Sequence, residues 1–216
     1  GWPGLVLILR ADGMYAELCQ HAEGSGSAAA GGGGGGCVQQ NAALNQLFNV
    51  AQAVLTGAML CNGMAIDRFG PRWSCLGTAL VAVGSAGFAL QPLPLPGDSI
   101  DASYIWLCVM GVGGSAVHLS WFHMSNLFPT RVQTVASIIV SGFVLAGIVF
   151  PLFQMLTDAF PGFGRREVFL IIAAVNLATL PFAIRLWPAA PFTLGDRLEF
   201  TSWSLAYSVT PAPPRE

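Results

Sequence analysis

A ten-residue segment with the sequence Gly63-Met64-Ala65-Ile66-Asp67-Arg68-Phe69-Gly70-Pro71-Arg72 joins two long apolar stretches of this chain. It follows the pattern G-x-x-x-D-R-x-G-x-R and places three charges and two glycines at the boundary between the two stretches. Gly70 permits a tight turn, and the charges belong at helix ends, where water is available. The segment therefore predicts two neighbouring antiparallel helices joined by a polar turn at a membrane surface.

The composition also predicts a membrane protein. Of 216 residues, 54% are hydrophobic and 9% are charged, whereas soluble domains carry about 25% charged residues. Nine basic residues, all arginine, face eleven acidic ones, for a formal charge of −2. This balance offers no basic surface for nucleic acid, so we expect the lipid bilayer to be the main partner.

Five apolar stretches are long enough to cross a bilayer, whose hydrocarbon core is about 30 Å thick. Short breaks that contain charges or proline separate them, which is typical of neighbouring antiparallel helices. The predicted spans are Ala42 to Ile66, Trp73 to Gln91, Ala102 to Met124, Val132 to Thr157, and Val168 to Trp187.

The remaining segments have different compositions. Residues 1–9 are apolar but too short to span, so we expect them to be the end of a truncated first transmembrane helix. Residues 10–41 contain six consecutive glycines and are predicted to form a flexible external loop. Residues 42–187 hold transmembrane helices 2 to 6, and residues 188–216 read as a polar, proline-containing tail or inter-domain loop.

Arginine positions give a weak orientation. Short cytoplasmic loops are enriched in basic residues, and four arginines lie on the side of the 63–72 segment, against three on the other. We therefore place the 63–72 segment on the cytoplasmic side. The four are Arg68, Arg72, Arg131 and Arg185, and the three are Arg10, Arg165 and Arg166.

The 63–72 pattern resembles the signature between the second and third helices of the major facilitator superfamily. The resemblance implies an all-α membrane protein with a major-facilitator-type bundle, in which this chain is a truncated first helix plus five transmembrane helices. That is one half of a twelve-helix carrier, and the C-terminal half would be its partner. It also implies a conformational latch formed by Gly63, Asp67, Arg68, Gly70 and Arg72, with Gly63 allowing close helix approach and Asp67 and Arg68 able to pair. Pro71 replaces a common basic residue, so one ion-pair arm is missing.

Further stretches resemble the superfamily branch that contains large-neutral-amino-acid facilitators and equilibrative nucleobase transporters. They are Gly1-Trp2-Pro3-Gly4-Leu5-Val6, Tyr15-Ala16-Glu17-Leu18-Cys19, Asp67-Arg68-Phe69 and Ser125-Asn126-Leu127-Phe128. In that branch a long external loop with cysteines follows the first helix, in positions matched by Cys19 and Cys37. A disulfide between them would suit an oxidising external face, and two free thiols are the alternative.

Polar residues inside apolar spans indicate a candidate substrate pathway, since such groups should face the bundle interior or a watered cavity. The candidates recur at helical spacing on the second, fourth and fifth spans. They are Gln46, Asn49, Ser115, His118, Phe122, Ser125 and Ser141. A competing interpretation is that these groups only join neighbouring helices by hydrogen bonds.

No Asp, Glu, Lys or Arg lies near the middle of a predicted span, which favours facilitated diffusion over ion coupling. Titration of His118 keeps proton symport open. No catalytic or metal-binding motif is present, so we expect neither an enzyme, a metal nor a cofactor. The predicted function is a plasma-membrane transporter, by resemblance, that moves large neutral amino acids by alternating access. Alternatives are a nucleobase transporter and a non-transporting membrane remnant or helix-pairing subunit.

Overall fold

The computed structural model describes residues 2–19, 37–92, 101–128, 130–160 and 162–187, and the backbone of two strands, 197–200 and 207–210. The helices that we number are α1 (Trp2–Ala11), α2 (Val38–Phe69), α3 (Ser74–Leu90), α4 (Ala102–His123), α5 (Val132–Leu145), α6 (Val149–Ala159) and α7 (Arg165–Leu186). Short 3-10 turns at Pro71–Trp73, Met124–Leu127 and Ala146–Ile148 precede or continue these helices.

Five helical segments are long and apolar enough to cross a membrane, which confirms the predicted number of spans. They are Val38–Phe69, Pro71–Leu90, Ala102–Leu127, Val132–Ala159 and Arg165–Leu186. The second span is longer than the predicted stretch from Ala42 to Ile66. Its polar first turn, Gln39-Gln40-Asn41, continues the helix beyond the apolar region. Polar side chains can be part of a helix wherever water or protein groups form hydrogen bonds with them.

Helices α3 and α4 form the closest pair in the bundle, and glycines make this contact possible. A Cβ atom on Gly77 would lie 2.7 Å from the carbonyl oxygen of Gly113, and one on Gly113 would lie 2.5 Å from the carbonyl oxygen of Gly77. Small residues allow backbones in a bilayer to approach in this way. Helix α4 also packs on α2, and α3 packs on α7.

The fifth span is interrupted at Ala146–Ile148, and Pro151 explains why. Proline has no N–H to bond the carbonyl four residues earlier, and its ring crowds that carbonyl. The backbone at this break approaches α1, where a Cβ on Gly4 would meet atoms of Phe150 and Pro151 at 3.1 Å. No residue of α5 or α6 is buried within the described chain.

The hydrophobic core lies at one end of the bundle, where α1, the start of α2, the end of α3 and the start of α7 meet. Edge-to-face packing of Phe88 and Phe169, with centroids 4.6 Å apart, lies in this core. The fully buried residues around it include Ile8, Leu9, Met14, Leu44, Leu47 and Val168. Because these helix ends all lie opposite the 63–72 turn, this is the external end of the proposed orientation.

Two strands, Arg197–Phe200 and Tyr207–Thr210, form an antiparallel hairpin within the segment predicted to be a tail or loop. Their register pairs Arg197 with Thr210 and Phe200 with Tyr207. Aromatic and branched residues in both strands favour this conformation. The hairpin is an element that the all-α prediction did not include.

Candidate functional site

The 63–72 segment forms a tight turn between α2 and α3. Gly70 has φ 75° and ψ 177°, a combination that is open almost only to glycine. Its N–H donates to the carbonyl of Ile66 at 2.7 Å, which ends α2. Pro71 is buried and starts the following 3-10 turn, where its missing N–H needs no helical partner. The predicted turn is thus built from local backbone preferences.

The charged residues of this turn do not pair with each other as the sequence suggested. A carboxylate oxygen of Asp67 lies 3.6 Å from Nε2 of His123, at the end of α4, and the Asp67 side chain is 75% exposed. The guanidinium of Arg68 instead lies 5.9 Å from the ring centre of Phe69. Asp67 and Arg68 are adjacent residues of a helix, so their side chains diverge by about 100° and reach different neighbours.

Gly63 does not serve close helix packing in the part of the chain that the structure describes. A Cβ atom there would meet nothing within 4 Å, because this face of α2 has no helix against it. Within the described chain no helix uses Gly63 for close approach, so its predicted packing role stays a prediction. Gly111 takes that role, since its Cβ would lie 3.2 Å from the carbonyl oxygen of Ala51 on α2.

Ser115, a predicted pathway residue, belongs instead to a buried polar cluster between α2 and α4. Its Oγ accepts a hydrogen bond of 2.7 Å from Nδ2 of Asn62 and donates one of 2.8 Å to the carbonyl of Val112. The Asn62 amide also donates to Val112 at 3.0 Å, and its Oδ1 accepts from Nε1 of Trp73 at 2.9 Å. Ser115 is fully buried, which agrees with the competing interpretation that it joins neighbouring helices by hydrogen bonds.

Ser125 is also buried rather than open to a cavity. Its hydroxyl donates to the carbonyl of Phe122 at 2.7 Å, within the turn that ends the fourth span. Small hydroxyl side chains commonly satisfy themselves on the preceding helical turn. The four pathway candidates of the fourth span therefore separate. The two serines are buried, and His118 and Phe122 lie on a different surface.

The two ring-bearing candidates of the fourth span meet the fifth span. The imidazole of His118 lies 5.0 Å from the ring of Phe122 and 4.5 Å from the ring of Phe143, measured between centroids. Phe143 is largely exposed and His118 is half-buried. This trio presents a ring-lined surface at the junction of the fourth and fifth spans.

The other candidates lie on exposed helix faces. Gln46 and Asn49 on α2 and Ser141 on α5 are all exposed in the described structure. Exposed polar side chains in the middle of a span need water or further protein around them. In the described part of the chain, no hydrogen bond or ring contact joins them to the His118 group, so the pathway residues form separate patches rather than one closed site.

The external end carries a cluster that the sequence analysis did not identify. The buried Arg165 donates from Nε to Asp12 at 2.8 Å, from Nη1 to the carbonyl of Phe88 at 2.6 Å and from Nη2 to the carbonyl of Gln91 at 3.1 Å. It thereby joins the chain after α1, the end of α3 and the start of α7. A buried arginine with one acidic partner far away in sequence leaves no local signal, so only the fold shows it.

Two further links close the same end. Cys19 and Cys37 form a disulfide across the segment predicted to be an external loop, most of which lies outside the described residues. The hydroxyl of Tyr15 donates to Asp101, which also caps α4 by accepting from the N–H of Ser103 at 2.8 Å. Burial, then the contact with Asp101, raises the pKa of Tyr15 well above its usual value. The phenol therefore stays protonated and keeps donating at physiological pH.

Two further features of the described structure concern metal ligands and an apolar groove. Among the residues that the structure describes, no three His, Cys, Asp or Glu side chains are grouped to hold a metal. An open apolar groove of about 460 Å³ lies along α3 and α4 and includes Leu80, Tyr104 and Cys108 in its lining. None of the predicted pathway residues lines this groove.

Comparison with known proteins indicates the kind of protein to which this chain is related. It is 27% identical over 210 residues to the human protein named large neutral amino acids transporter small subunit 3, and 26% identical over 211 residues to its mouse counterpart. The chain resembles amino-acid transporters. These alignments cover 93% of this chain and 36% of each relative.

A yeast protein, FMP42 of Saccharomyces cerevisiae, is 26% identical over 195 residues, or 89% of this chain and 36% of the relative. The chain thus spans about a third of the length of the relatives it matches. No family model and no solved structure matches it. Together with five apolar helices, these relatives point to an integral, multi-pass membrane protein of an amino-acid-transporter-like family.

Proposed function

We propose that this chain forms one half of a major-facilitator-type carrier that moves large neutral amino acids across the plasma membrane by facilitated diffusion. The observation that carries the proposal is the similarity over 93% of the chain to relatives named as large neutral amino acid transporters. The half would work with a second, C-terminal half, and it would catalyse no chemical reaction.

The packing of the helices supports the major-facilitator arrangement. In two inverted three-helix repeats, the first span is equivalent to the fourth, the second to the fifth and the third to the sixth. The contact of α2 with α4 is then equivalent to the contact of the fifth span with α1, and the contact of α3 with α7 is equivalent to itself. All three contacts are present, whereas α1 and α7, which would correspond to the closely packed pair α3 and α4, barely contact each other.

The distribution of polar groups supports a transport pathway on one side of the half. Gln46, Asn49 and Ser141 are exposed on mostly apolar spans, and the ring-lined His118 group lies at the junction of the fourth and fifth spans. A second half packed against these patches would enclose amide, hydroxyl and aromatic groups. Such a surface suits a neutral solute with an apolar side chain.

Transport of radiolabelled leucine by cells that express the full-length protein tests the proposal. We expect saturable leucine uptake that does not change when a pH gradient is imposed, because no Asp, Glu, Lys or Arg lies near the middle of a span of this half. Uptake of adenine instead would assign the nucleobase branch. No uptake of either solute by protein shown at the cell surface would contradict the proposal and favour a non-transporting membrane protein.

The proposed latch has its own test in the Asp67→Asn variant. Removing the charge should lower the maximal uptake rate by about fivefold, the effect of roughly 1 kcal/mol, with unchanged surface abundance, because Asp67 is 75% exposed. Asp158→Asn is the matched control, since Asp158 is exposed at the opposite end of the bundle. Normal uptake kinetics in Asp67→Asn would remove the latch from the mechanism.

A further inference from the structure

Asn62 is a buried amide in the C-terminal half of α2, whose other residues are half-buried or exposed except for Ile66. In the C-terminal half of α2, only Asn62 and Ile66 are buried among the described residues. Asn62 is 6% exposed, and it lies five residues before Asp67, on the last turns of the helix. Asn62 and Ile66 therefore pack the C-terminal end of α2 against the rest of the half.

The carboxamide of Asn62 uses both of its ends, and each end reaches a different element. Its Nδ2 group donates to Ser115 at 2.7 Å and to the carbonyl of Val112 at 3.0 Å, both on α4. Its Oδ1 accepts from the indole N–H of Trp73, in the 3-10 turn, at 2.9 Å. An apolar side chain of the same size could fill this space, but it could not orient three elements at once.

From Trp73 the contacts continue into the charged turn. The ring of Trp73 stacks on Phe69 with centroids 5.5 Å apart, and Phe69 lies beneath the guanidinium of Arg68. Asp67, next to this pair, reaches His123 on α4 at 3.6 Å. The position of Asp67 relative to α4 therefore depends on how the turn is fixed to α4. The described side-chain hydrogen bonds that link the turn to α4 are those of Asn62.

We propose that Asn62 is a positioning residue for the Asp67 latch. It holds the chain between the end of α2 and the start of α3, residues 67–73, on α4 so that Asp67 faces His123. This inference rests on the proposed transport function for its consequence, because a displaced Asp67 would slow the conformational cycle. It does not require Asn62 to touch the solute. The effect should accordingly fall on the maximal transport rate and leave the KM for leucine unchanged.

A cross-linking measurement tests the position without any transport. In full-length protein in which Cys61, Cys75, Cys108 and every free cysteine outside residues 1–216 are replaced by serine, Asp67→Cys and His123→Cys are joined by a short bis-methanethiosulfonate. A protease site inserted between residues 93 and 100 then reports the link, because linked fragments stay together after cleavage. Adding Asn62→Ala should lower the cross-linking rate by about fivefold, the factor that corresponds to one lost net hydrogen bond.

Two variants separate positioning from simple loss of packing. Asn176→Ala makes the same chemical change on α7, where the Asn176 amide bonds only the carbonyl of Ile172 in its own helix at 2.8 Å, and it should leave the rate unchanged. Ser115→Ala should have a smaller effect than Asn62→Ala, because Val112 still accepts from the amide. An unchanged cross-linking rate in folded Asn62→Ala protein would overturn the proposal.

Leucine uptake supplies the second measurement, with Asp67 and His123 left intact. Asn62→Ala should lower the maximal rate, and it should lower it no further when Asp67→Asn is already present, because both changes remove the same contact. Additive effects of the two changes would overturn the link between Asn62 and the latch. If the parent protein transports neither solute, the transport proposal fails while the cross-linking result still decides the role of Asn62.

Discussion

Arg165 is a buried arginine whose guanidinium reaches an acidic side chain and two backbone carbonyls at the end of α3. Replacing one partner of a buried ion pair leaves the other uncompensated, and such changes typically destabilise by about 3–5 kcal/mol. Arg165→Leu should therefore lower the free energy of unfolding in detergent by about 3 kcal/mol, at the low end, because Asp12 is 29% exposed.

Arg166→Leu is the matched control for that measurement, since Arg166 is the neighbouring arginine and is exposed. It should change the unfolding free energy by less than about 0.5 kcal/mol. Equal losses in the two variants would mean that the charge itself matters at this end, and not the three bonds that Arg165 makes.

The two glycines of the 63–72 turn should respond to alanine in opposite ways. Gly70→Ala places a Cβ at φ 75° and ψ 177°, and residues held in such regions cost about 1–3 kcal/mol each. Gly63→Ala adds a Cβ in open space within a helix, where alanine is favoured over glycine by about 0.5–1 kcal/mol. Thermal unfolding of both variants in the same detergent checks this contrast, and a destabilising Gly63→Ala would show that further protein packs there.

At the scale of elements, the contact between α3 and α4 depends on two backbones that touch. Gly113→Ala would bring a Cβ to 2.5 Å from the carbonyl oxygen of Gly77, so the helices must separate. Overpacking of this kind costs about 1–3 kcal/mol. We expect a matching fall in the unfolding free energy, measured in detergent.

Gly114→Ala is the control for the helix pair, because the neighbouring glycine has nothing within 4 Å of its Cβ. It should be neutral or slightly stabilising in α4. A similar loss from both substitutions would indicate that helix propensity or insertion, and not the approach of α3, limits the stability of this element.

At the scale of the whole molecule, the structure sharpens the orientation that arginine counting gave. Arg68, Arg72, Arg131 and Arg185 on the proposed cytoplasmic side are all exposed. On the other side, Arg165 is buried and paired with Asp12, so it is a structural charge rather than a loop charge. Leaving it out changes the balance from four against three to four against two, which strengthens the proposed orientation.

Labelling of single cysteines in intact cells tests this orientation. In protein in which Cys61, Cys75, Cys108 and every free cysteine outside residues 1–216 are replaced by serine, a membrane-impermeant maleimide should label Asp158→Cys but label Arg72→Cys only after permeabilisation. Both positions are exposed, so access and not burial decides the result. The reverse pattern would invert the orientation and place Asp67 outside the cell.

The spans and the tight turn could be predicted from the sequence because both are local properties. Apolar length identified the five spans, and Gly70 with the charged residues around it identified the turn, since a glycine-only φ acts within a few residues. The break in the fifth span follows from Pro151 in the same way, although the apolar pattern ran through it.

The facing of side chains could not be predicted in this way. Ser115 and His118 lie on nearly the same face of an ideal helix, yet one is buried against α2 and the other meets the fifth span. Asn62 and Arg165 acquire their partners from residues distant in sequence. Which neighbour a helix face meets depends on helix rotation and crossing, and apolar periodicity carries little of that information in a bilayer, where lipid and protein are equally apolar.

The fifth span, which has no buried residue in α5 or α6 within the described chain, has a consequence for biosynthesis. A segment that leaves the ribosome without a partner helix must enter the bilayer on the strength of its own sequence, and Val132–Ala159 is the most apolar of the five spans. The second span carries Gln46, Asn49 and Asn62 and is the least apolar of the five, and its packing partner α4 follows it in the chain. Polar substitutions in the fifth span should therefore impair membrane insertion before they affect the folded protein.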